Sequence, residues 1–403
     1  MSQAAHKPSD TTSFNYRAAI TTSDAGAPRA RGPDRTAARA VPDARVAVPV
    51  HRHAPRGTDD RRLNGYSSAM RVSVVDAGSN TVRLVIADVE GGVPLPVHTV
   101  KWKLRLCEHA GTDGTIADEA VDQLVKAVAA AGATARRWRA AGPLAFATTV
   151  VRNAPNRADV LRRVASGTGI RMCTMPGETE AELTFLAARR WLGWKAGPLA
   201  LLDIGGGSLE VAFGRGRLPD FAASLPLGAS RLTREHLVQD PPGPGELKEL
   251  RRRIRHELRD VASRIRWERP RTAAVTSRTF QQLARLCGAA PGRYGPFVER
   301  ELACRDLREA VHALASLPAA ERAQLPGISA PRAAQSLAGA VVGHTALKLM
   351  GLPRAVVCPW AIREGVLLRY VEDGADWWTD ITDTTDTTTP PPTTTLRIAT
   401  PSA

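Results

Sequence analysis

The sequence lacks several features that mark common classes of protein. Its five cysteines include no CxxC pair and no group with histidines at zinc-ligand spacing, which argues against a disulfide framework and a structural zinc site. No run of 18 or more apolar residues is free of charge, and no apolar segment with a cleavage site opens the chain. We therefore expect a cytoplasmic protein with reduced thiols and no membrane partner.

Aromatic and acidic residues are also scarce. Aromatics make up 5% of the chain, with no stacking stripe or recognised nucleic-acid motif, so nucleic acid is not expected as a partner. The 40 acidic residues face 55 Lys and Arg, which gives a net charge of +15. Residues 1–69 hold only 11 basic and 6 acidic residues, so most of the excess lies in the rest of the chain. Such a field attracts polyanions, but charge alone does not say which.

The two ends of the chain differ in composition from its middle. Residues 1–69 mix small, polar and basic residues without periodicity, and residues 373–403 contain the run TTDTTTPPPTTT. We predict that both segments are disordered and that the first is dispensable. The roughly 300 residues between them exceed a single hydrophobic core. We predict two lobes, residues 70–196 and residues 197–372.

Strand and helix patterns alternate in the first lobe. Arg71–Asp76 and Thr81–Val89 are rich in β-branched residues and predict strands, followed by an amphipathic helix over Asp118–Ala141. Leu144–Thr149 predicts a further strand and Arg157–Gly167 a further helix. This order favours an α/β fold.

An internal repeat links the two lobes. The segment VVDAGSNTVRLVIADV (Val74–Val89) aligns without gaps on LLDIGGGSLEVAFGRG (Leu201–Gly216). Each copy predicts a hairpin whose tight turn follows an aspartate, Asp76 in the first and Asp203 in the second. The repeat predicts a duplicated domain whose two turns face one cleft.

The second turn has the composition of a phosphate-binding loop. Gly205–Gly207 and Ser208 leave backbone N–H groups free to converge on an anion, and Asp203 and Glu210 are hard oxygen ligands suited to Mg²⁺. A glycine-rich loop between strands is more often only a tight turn, and Asp203 could be a turn-capping carboxylate. The P-loop pattern is missing.

Arg152 follows the strand predicted at Leu144–Thr149, where ligand sites of α/β folds are found. The alternative is a solvated surface arginine. A helix is predicted over Glu178–Trp191. The acids crowded into its first turn can be explained by the helix dipole alone.

Six motifs together resemble the Ppx/GppA phosphatases, over Met70 to about Tyr370. They are DAGSNTVRL (Asp76–Leu84), ATTVVRNAPN (Ala147–Asn156), GETEAEL (Gly177–Leu183), DIGGGSLE (Asp203–Glu210), LPLGASRLT (Leu225–Thr233) and REG (Arg363–Gly365). The resemblance implies an α/β fold of two duplicated ribonuclease-H-like lobes with a central cleft, as in the actin-like, sugar-kinase and Hsp70 superfamily. It also implies a hydrolase.

The resemblance assigns roles to residues of this chain. Glu180 would activate the attacking water, and Asp203, Glu210 and Asp76 would hold the metal, Mg²⁺ with Mn²⁺ as the alternative. The residues that would bind substrate phosphate are Arg152, Ser79, Asn80, Gly205, Gly206, Gly207 and Ser208. The chain departs from the family pattern at Glu182, where the family usually has a basic residue.

We therefore expect an exopolyphosphatase that removes the terminal phosphate of short-chain inorganic polyphosphate by direct attack of water. The alternatives are a guanosine pentaphosphate or tetraphosphate phosphatase, a sugar or acetate kinase, and a non-catalytic sensor of polyphosphate or alarmone. Glu180 at this spacing argues against a kinase, and the set of Glu180, Arg152 and Asp203 argues against a sensor. The sequence leaves the assembly open, with a homodimer as one option.

Overall fold

The computed structural model describes residues 70–111 and 113–384, so the predictions for residues 1–69 and 385–403 lie outside the described chain. A first sheet has five strands in the order β3-β2-β1-β4-β5. They are β1 (Met70–Ala77), β2 (Thr81–Glu90), β3 (Val93–Lys103), β4 (Ala141–Ala147) and β5 (Met172–Thr174). The helices that follow or connect these strands are α1 (Asp118–Arg137), α2 (Thr149–Arg152), α3 (Arg157–Thr168) and α4 (Gly177–Leu192).

The elements of this first half follow the predicted order, with shifted ends and with β3, the short helix α2 and β5 in addition. The predicted strand Leu144–Thr149 begins earlier and ends at Ala147, and Thr149 instead opens the short helix α2. The strand β3 was not predicted, because its outward positions are mostly exposed and its sequence carries two prolines. It pairs along the whole of β2 at the edge of the sheet, where prolines are tolerated.

A second sheet has six strands in the order β10-β11-β9-β6-β7-β8. They are β6 (Leu199–Ile204), β7 (Leu209–Gly214), β8 (Phe221–Leu225), β9 (Thr272–Thr276), β10 (Glu301–Ala303) and β11 (Arg354–Val357). The helices of this half are α5 (Ala229–His236), α6 (Pro244–Glu268), α7 (Ser277–Leu286), α8 (Cys304–Ala315), α9 (Ala319–Arg322), α10 (Ala333–Met350) and α11 (Ile362–Thr384). Within residues 70–111 and 113–384, no helix combines the length and apolar character needed to cross a bilayer.

The two sheets share one topology, which is the duplicated fold predicted from the repeat. In the first sheet, β1 pairs antiparallel with β2 and parallel with β4. In the second sheet, β6 pairs antiparallel with β7 and parallel with β9. Asp76 pairs across the first hairpin with Arg83, and Asp203 pairs across the second hairpin with Glu210. The same spacing of seven residues separates the members of each pair, so the two hairpins are equivalent in register.

Helix α4 lies between the two sheets. Its residue Leu183 joins the apolar cluster of the first sheet, which includes Val74 and Phe146. Its residues Ala181 and Phe185 join the cluster of the second sheet. Since side chains on both flanks of α4 are buried, the helix is held in position from two directions.

The last helix corrects the predicted boundaries of the second lobe and the tail. The sequence analysis placed residues up to 372 in the second lobe and began a disordered tail at residue 373. Helix α11 instead packs on the first sheet, with Val366 and Leu367 buried beside the strands, and it continues to Thr384. The helix extends past residue 373 because Trp377 and Trp378 pack against the same apolar cluster. The helical pattern is interrupted only at Gly374, whose φ is 86°.

Candidate active site

The two hairpin turns meet around one cavity of about 340 Å³. The first turn contributes residues 78–81, and the second contributes residues 205–208. The turns touch: a Cβ added at Gly206 would lie 2.8 Å from the Oγ of Ser79. The hydroxyl of Ser208 lies 3.0 Å from that of Thr149, which begins α2. A side chain at Gly206 would crowd Ser79, whereas glycine leaves backbone N–H groups open to a ligand.

Glu180 lies on the first turn of α4 and lines the cavity. Its residue exposure is 6%, and its carboxylate accepts a hydrogen bond from the guanidinium of Arg152. Arg152 also donates to the carbonyl oxygen of Met175 at 2.9 Å. Arg152 is not among the residues that line the cavity. Arg152 therefore contacts Glu180 directly and can orient its carboxylate.

Three buried or largely buried carboxylates, Asp203, Glu210 and Glu180, line the cavity. Burial raises the pKa of Asp203 to about 8, with a further contribution from Glu210. Burial also raises the pKa of Glu180 to about 8, against the opposing effect of Arg152, and it raises the pKa of Glu210. The hydroxyl of Ser224 donates to Glu210 at 3.0 Å. Such crowded, desolvated acids are typical of a functional site and call for a cation.

Asp76 forms an ion pair with Arg363, which the sequence indicated only as part of the REG motif. The guanidinium of Arg363, at the start of α11, donates to Asp76 Oδ2 at 2.8 Å. Both side chains are largely buried, and both line the cavity. The last helix therefore reaches the first hairpin through an ion pair.

Four further basic residues line the cavity and were missed by the sequence analysis. They are Arg83, Lys101, Arg278 and Arg332. Burial and the nearby Arg363 lower the pKa of Arg83 to about 10, and the charge of Arg83 is the main cause of a lowered pKa for Lys101. Arg83 could have been found from the repeat, since it occupies the position equivalent to Glu210. Lys101 lies on β3, Arg278 on the first turn of α7 and Arg332 just before α10, and no motif covers these positions.

Ser277 is a further residue of the cavity that the sequence patterns did not indicate. It follows β9 and has a φ of 89°, in the left-handed region that a serine rarely adopts. Its hydroxyl interacts with the buried Asp203. Strain of this kind gathers at functional sites.

The predicted metal ligands do not by themselves form a complete metal site. Within the described chain, no group of three or more Asp, Glu, His or Cys side chains is arranged to hold an ion. Asp203 and Glu210 face the cavity, whereas Asp76 is paired with Arg363. Mg²⁺ commonly takes one or two carboxylates and completes its shell with water and substrate phosphate oxygens. Two buried carboxylates with raised pKa values fit that mode of binding.

Comparisons with known proteins agree on one family. The model of the Ppx/GppA phosphatase family matches residues 85–373. A protein of Streptomyces coelicolor is 68% identical over 335 residues, which are 83% of this chain and 100% of that protein. Exopolyphosphatase 1 of Mycobacterium tuberculosis is 44% identical over 309 residues, 76% of this chain and 90% of that enzyme. The crystal structure of the Aquifex aeolicus member of the Ppx/GppA family superposes with a TM-score of 0.67 at 26% identity, over 76% of this chain and 99% of that one.

Proposed function

The chain belongs to the Ppx/GppA phosphatase family, and from this premise we propose that it is an exopolyphosphatase that releases the terminal phosphate of inorganic polyphosphate. The observation that carries the proposal is the composition of the cavity. Two turns rich in small residues meet there, among buried carboxylates and basic side chains. This arrangement fits a phosphate chain whose scissile bond lies between the turns. The relatives named as exopolyphosphatases support the same substrate class.

Glu180 is proposed to act as the general base. Its carboxylate takes a proton from a water molecule whose oxygen attacks the terminal phosphorus. The bridging P–O bond breaks, and the shortened polyphosphate leaves with the bridging oxygen. Arg152 holds the carboxylate in place through its hydrogen bond, so the base is oriented before substrate arrives.

The two turns are proposed to bind the terminal phosphate. Backbone N–H groups of Gly206 and Gly207 and the side chains of Ser79, Asn80 and Ser208 border the cavity. Asp203 and Glu210 would hold Mg²⁺, with Mn²⁺ as the alternative, and the bound ion would neutralise charge on the phosphate oxygens.

The effect of Mg²⁺ on thermal stability is expected to depend on pH. Asp203 and Glu180 have pKa values of about 8 in the folded chain, against about 3.9 and 4.3 in an unfolded one. Without metal, these two carboxyl groups stabilise the folded chain in their protonated form. Their contribution to the free energy of unfolding is fully present below about pH 4 and is lost as pH rises through about 8. Asp76, Glu210 and Arg363 line the same cavity and Arg152 contacts Glu180, and the charges of these four groups contribute to the two pKa shifts.

We therefore expect Mg²⁺ to raise the melting temperature more at pH 8.5 than at pH 6, because at the higher pH it compensates charges that protons no longer neutralise. Scanning calorimetry in EDTA and in Mg²⁺ at both pH values measures this difference. The variant Asp203→Asn is the control, and it should reduce the response to Mg²⁺. An equal response of the wild-type chain at both pH values would contradict the assignment of these carboxylates to the metal.

The proposed activity is tested by phosphate release from the purified full chain. Substrates are linear polyphosphates of increasing length, starting at tripolyphosphate, and guanosine pentaphosphate, each in Mg²⁺, Mn²⁺ and EDTA. We expect release from polyphosphate with either metal, little in EDTA, and products shortened one phosphate at a time. Release from guanosine pentaphosphate alone would overturn the proposal in favour of an alarmone phosphatase. The length series also tests the expected preference for short chains.

A further inference from the structure

A second cavity opens beside the first and shares a wall with it. Its volume is about 410 Å³, and Arg278, Gln281 and Pro359 line both cavities. Its other walls come from α7 and from the loop that contains Gly292. A ligand that extends beyond the first cavity along Arg278 therefore enters the second.

The charge of the second cavity matches a polyanion. Among the described residues that line it are Arg278, Arg285 and Arg300, and none of them is acidic. The side chain of Arg278 forms no hydrogen bond or ion pair with any residue in the described part of the chain. The same holds for Arg83 and Lys101 on the side of the first cavity. These cations repel one another: the charge of Arg83 is the main cause of the lowered pKa of Lys101, with smaller contributions from burial and from Arg278, so an anion placed between them is stabilised.

The outer wall of the second cavity is built before any ligand arrives. Arg300 donates hydrogen bonds to the carbonyl oxygens of Ala290, Pro291, Val298 and Gly295, at 2.8 to 3.0 Å. These bonds fix the loop that forms the wall. A preformed cavity spares the ordering cost that a flexible loop would add to binding.

We propose that the second cavity is a distal subsite, which takes the phosphates of a linear polyphosphate beyond those held in the catalytic cavity, with Arg278 at the passage between the two. The inference rests on the proposed function and adds to it. Affinity should rise with length over the short chains that the two cavities can hold, and further length should add nothing. Binding in the second cavity thus determines how strongly the affinity for polyphosphate depends on its chain length.

A nucleoside fits the second cavity less well than a phosphate chain. A purine base and a ribose are usually recognised by a stacked aromatic ring and by a carboxylate on the ribose hydroxyls. None of the described residues that line this cavity is aromatic or acidic. The arginines supply the positive charge that successive phosphates need.

Gly292 offers a substitution that reaches the second cavity alone. It lines the second cavity and not the first, and a Cβ added there meets no heavy atom within 4 Å. The variant Gly292→Glu adds a negative charge, and Gly292→Gln adds the same volume without charge. Melting temperatures of both variants establish that they fold.

The test measures kcat and KM of the wild-type chain and both variants over the polyphosphate length series, with Mg²⁺. For long chains we expect Gly292→Glu to raise KM roughly tenfold over Gly292→Gln, since a like charge a few Å from phosphate at intermediate dielectric has this order of effect. For tripolyphosphate, which the first cavity can hold, the two variants should agree within about twofold. The wild-type KM should fall with length and then reach a plateau.

Three other results would overturn the inference. Equal KM values for both variants at every length would show that the chain does not enter the second cavity. An equal rise for tripolyphosphate and long chains would show only a general effect of charge. A rise confined to guanosine pentaphosphate would assign the cavity to a nucleoside. Absence of wild-type activity on any polyphosphate is a different failure, because it removes the proposed function and the subsite together.

Discussion

Replacing Glu180 with glutamine is expected to lower kcat on polyphosphate by roughly 10²–10⁴-fold, the contribution of a positioned general base. Glutamine keeps the shape of the side chain, and its oxygen can still accept the hydrogen bond from Arg152 that Glu180 accepts. It cannot accept the proton of the attacking water. The melting temperature should therefore change little while turnover at saturating substrate falls. Steady-state phosphate release and a thermal melt of the same preparation measure both quantities.

The matched control is Glu182→Gln, two residues along the same helix. The carboxylate of Glu182 accepts a hydrogen bond from Arg369 of α11 at 3.3 Å, and 38% of its side chain is exposed. Because it faces the last helix and not the cavity, the same change of charge should leave kcat nearly unaltered. A severe loss from Glu182→Gln, with near-normal turnover of Glu180→Gln, would show that the catalytic role is assigned to the wrong carboxylate.

The substitution Gly365→Ala is expected to destabilise the fold and to impair catalysis together. A Cβ at this position of α11 would overlap the backbone carbonyl group of Leu183 in α4. Backbone cannot move aside as a flexible side chain can, so the two helices must separate. Overpacking of this kind costs about 1–3 kcal/mol of unfolding free energy. Since Glu180 lies one turn from Leu183, a shift of α4 by about 1 Å could lower kcat by about 10²-fold.

Gly245→Ala provides the comparison, since Gly245 is also a helical glycine and a Cβ there meets no heavy atom within 4 Å. Alanine in an open helical position should stabilise the chain by about 0.4–1 kcal/mol. Urea unfolding of both variants, with activity assayed on the same samples, gives the two effects. If the Gly365→Ala chain kept its urea midpoint and its kcat, the close backbone contact between the two helices would not exist in solution.

The sequence predicted the duplicated fold because the duplication is local. The repeated part of each hairpin is a segment of sixteen consecutive residues, and its aspartate can be identified from its position alone. The sheet order could be expected from the repeat together with the family resemblance. The position of α11 could not, because the apolar residues Val366 and Leu367 fit either sheet equally well as a pattern.

The residues of the candidate site also fall into two groups: those that a local sequence motif indicates, and those that only the fold brings together. The turns and Glu180 lie in continuous motifs, and the structure brings them to one cavity. Lys101 and Arg278 lie far apart in sequence, and each looks like an ordinary surface cation until the chain folds. The pairing of Asp76 with Arg363 joins residues 287 positions apart. No pattern in the sequence could have shown that this aspartate already has a partner.

The position of α11 also affects the order in which the chain can fold as it is synthesised. The strands of the first sheet are complete at Thr174, but the helix that covers one face of that sheet ends at Thr384. At about 5–20 residues per second, a ribosome needs roughly 10–40 s to make the segment between them. During that time Val74 and Phe146 lack the apolar side chains of α11 against which they finally pack. A nascent chain of this protein therefore carries an unfinished apolar surface through the second half of its synthesis, and it is in this interval that chaperones would find it.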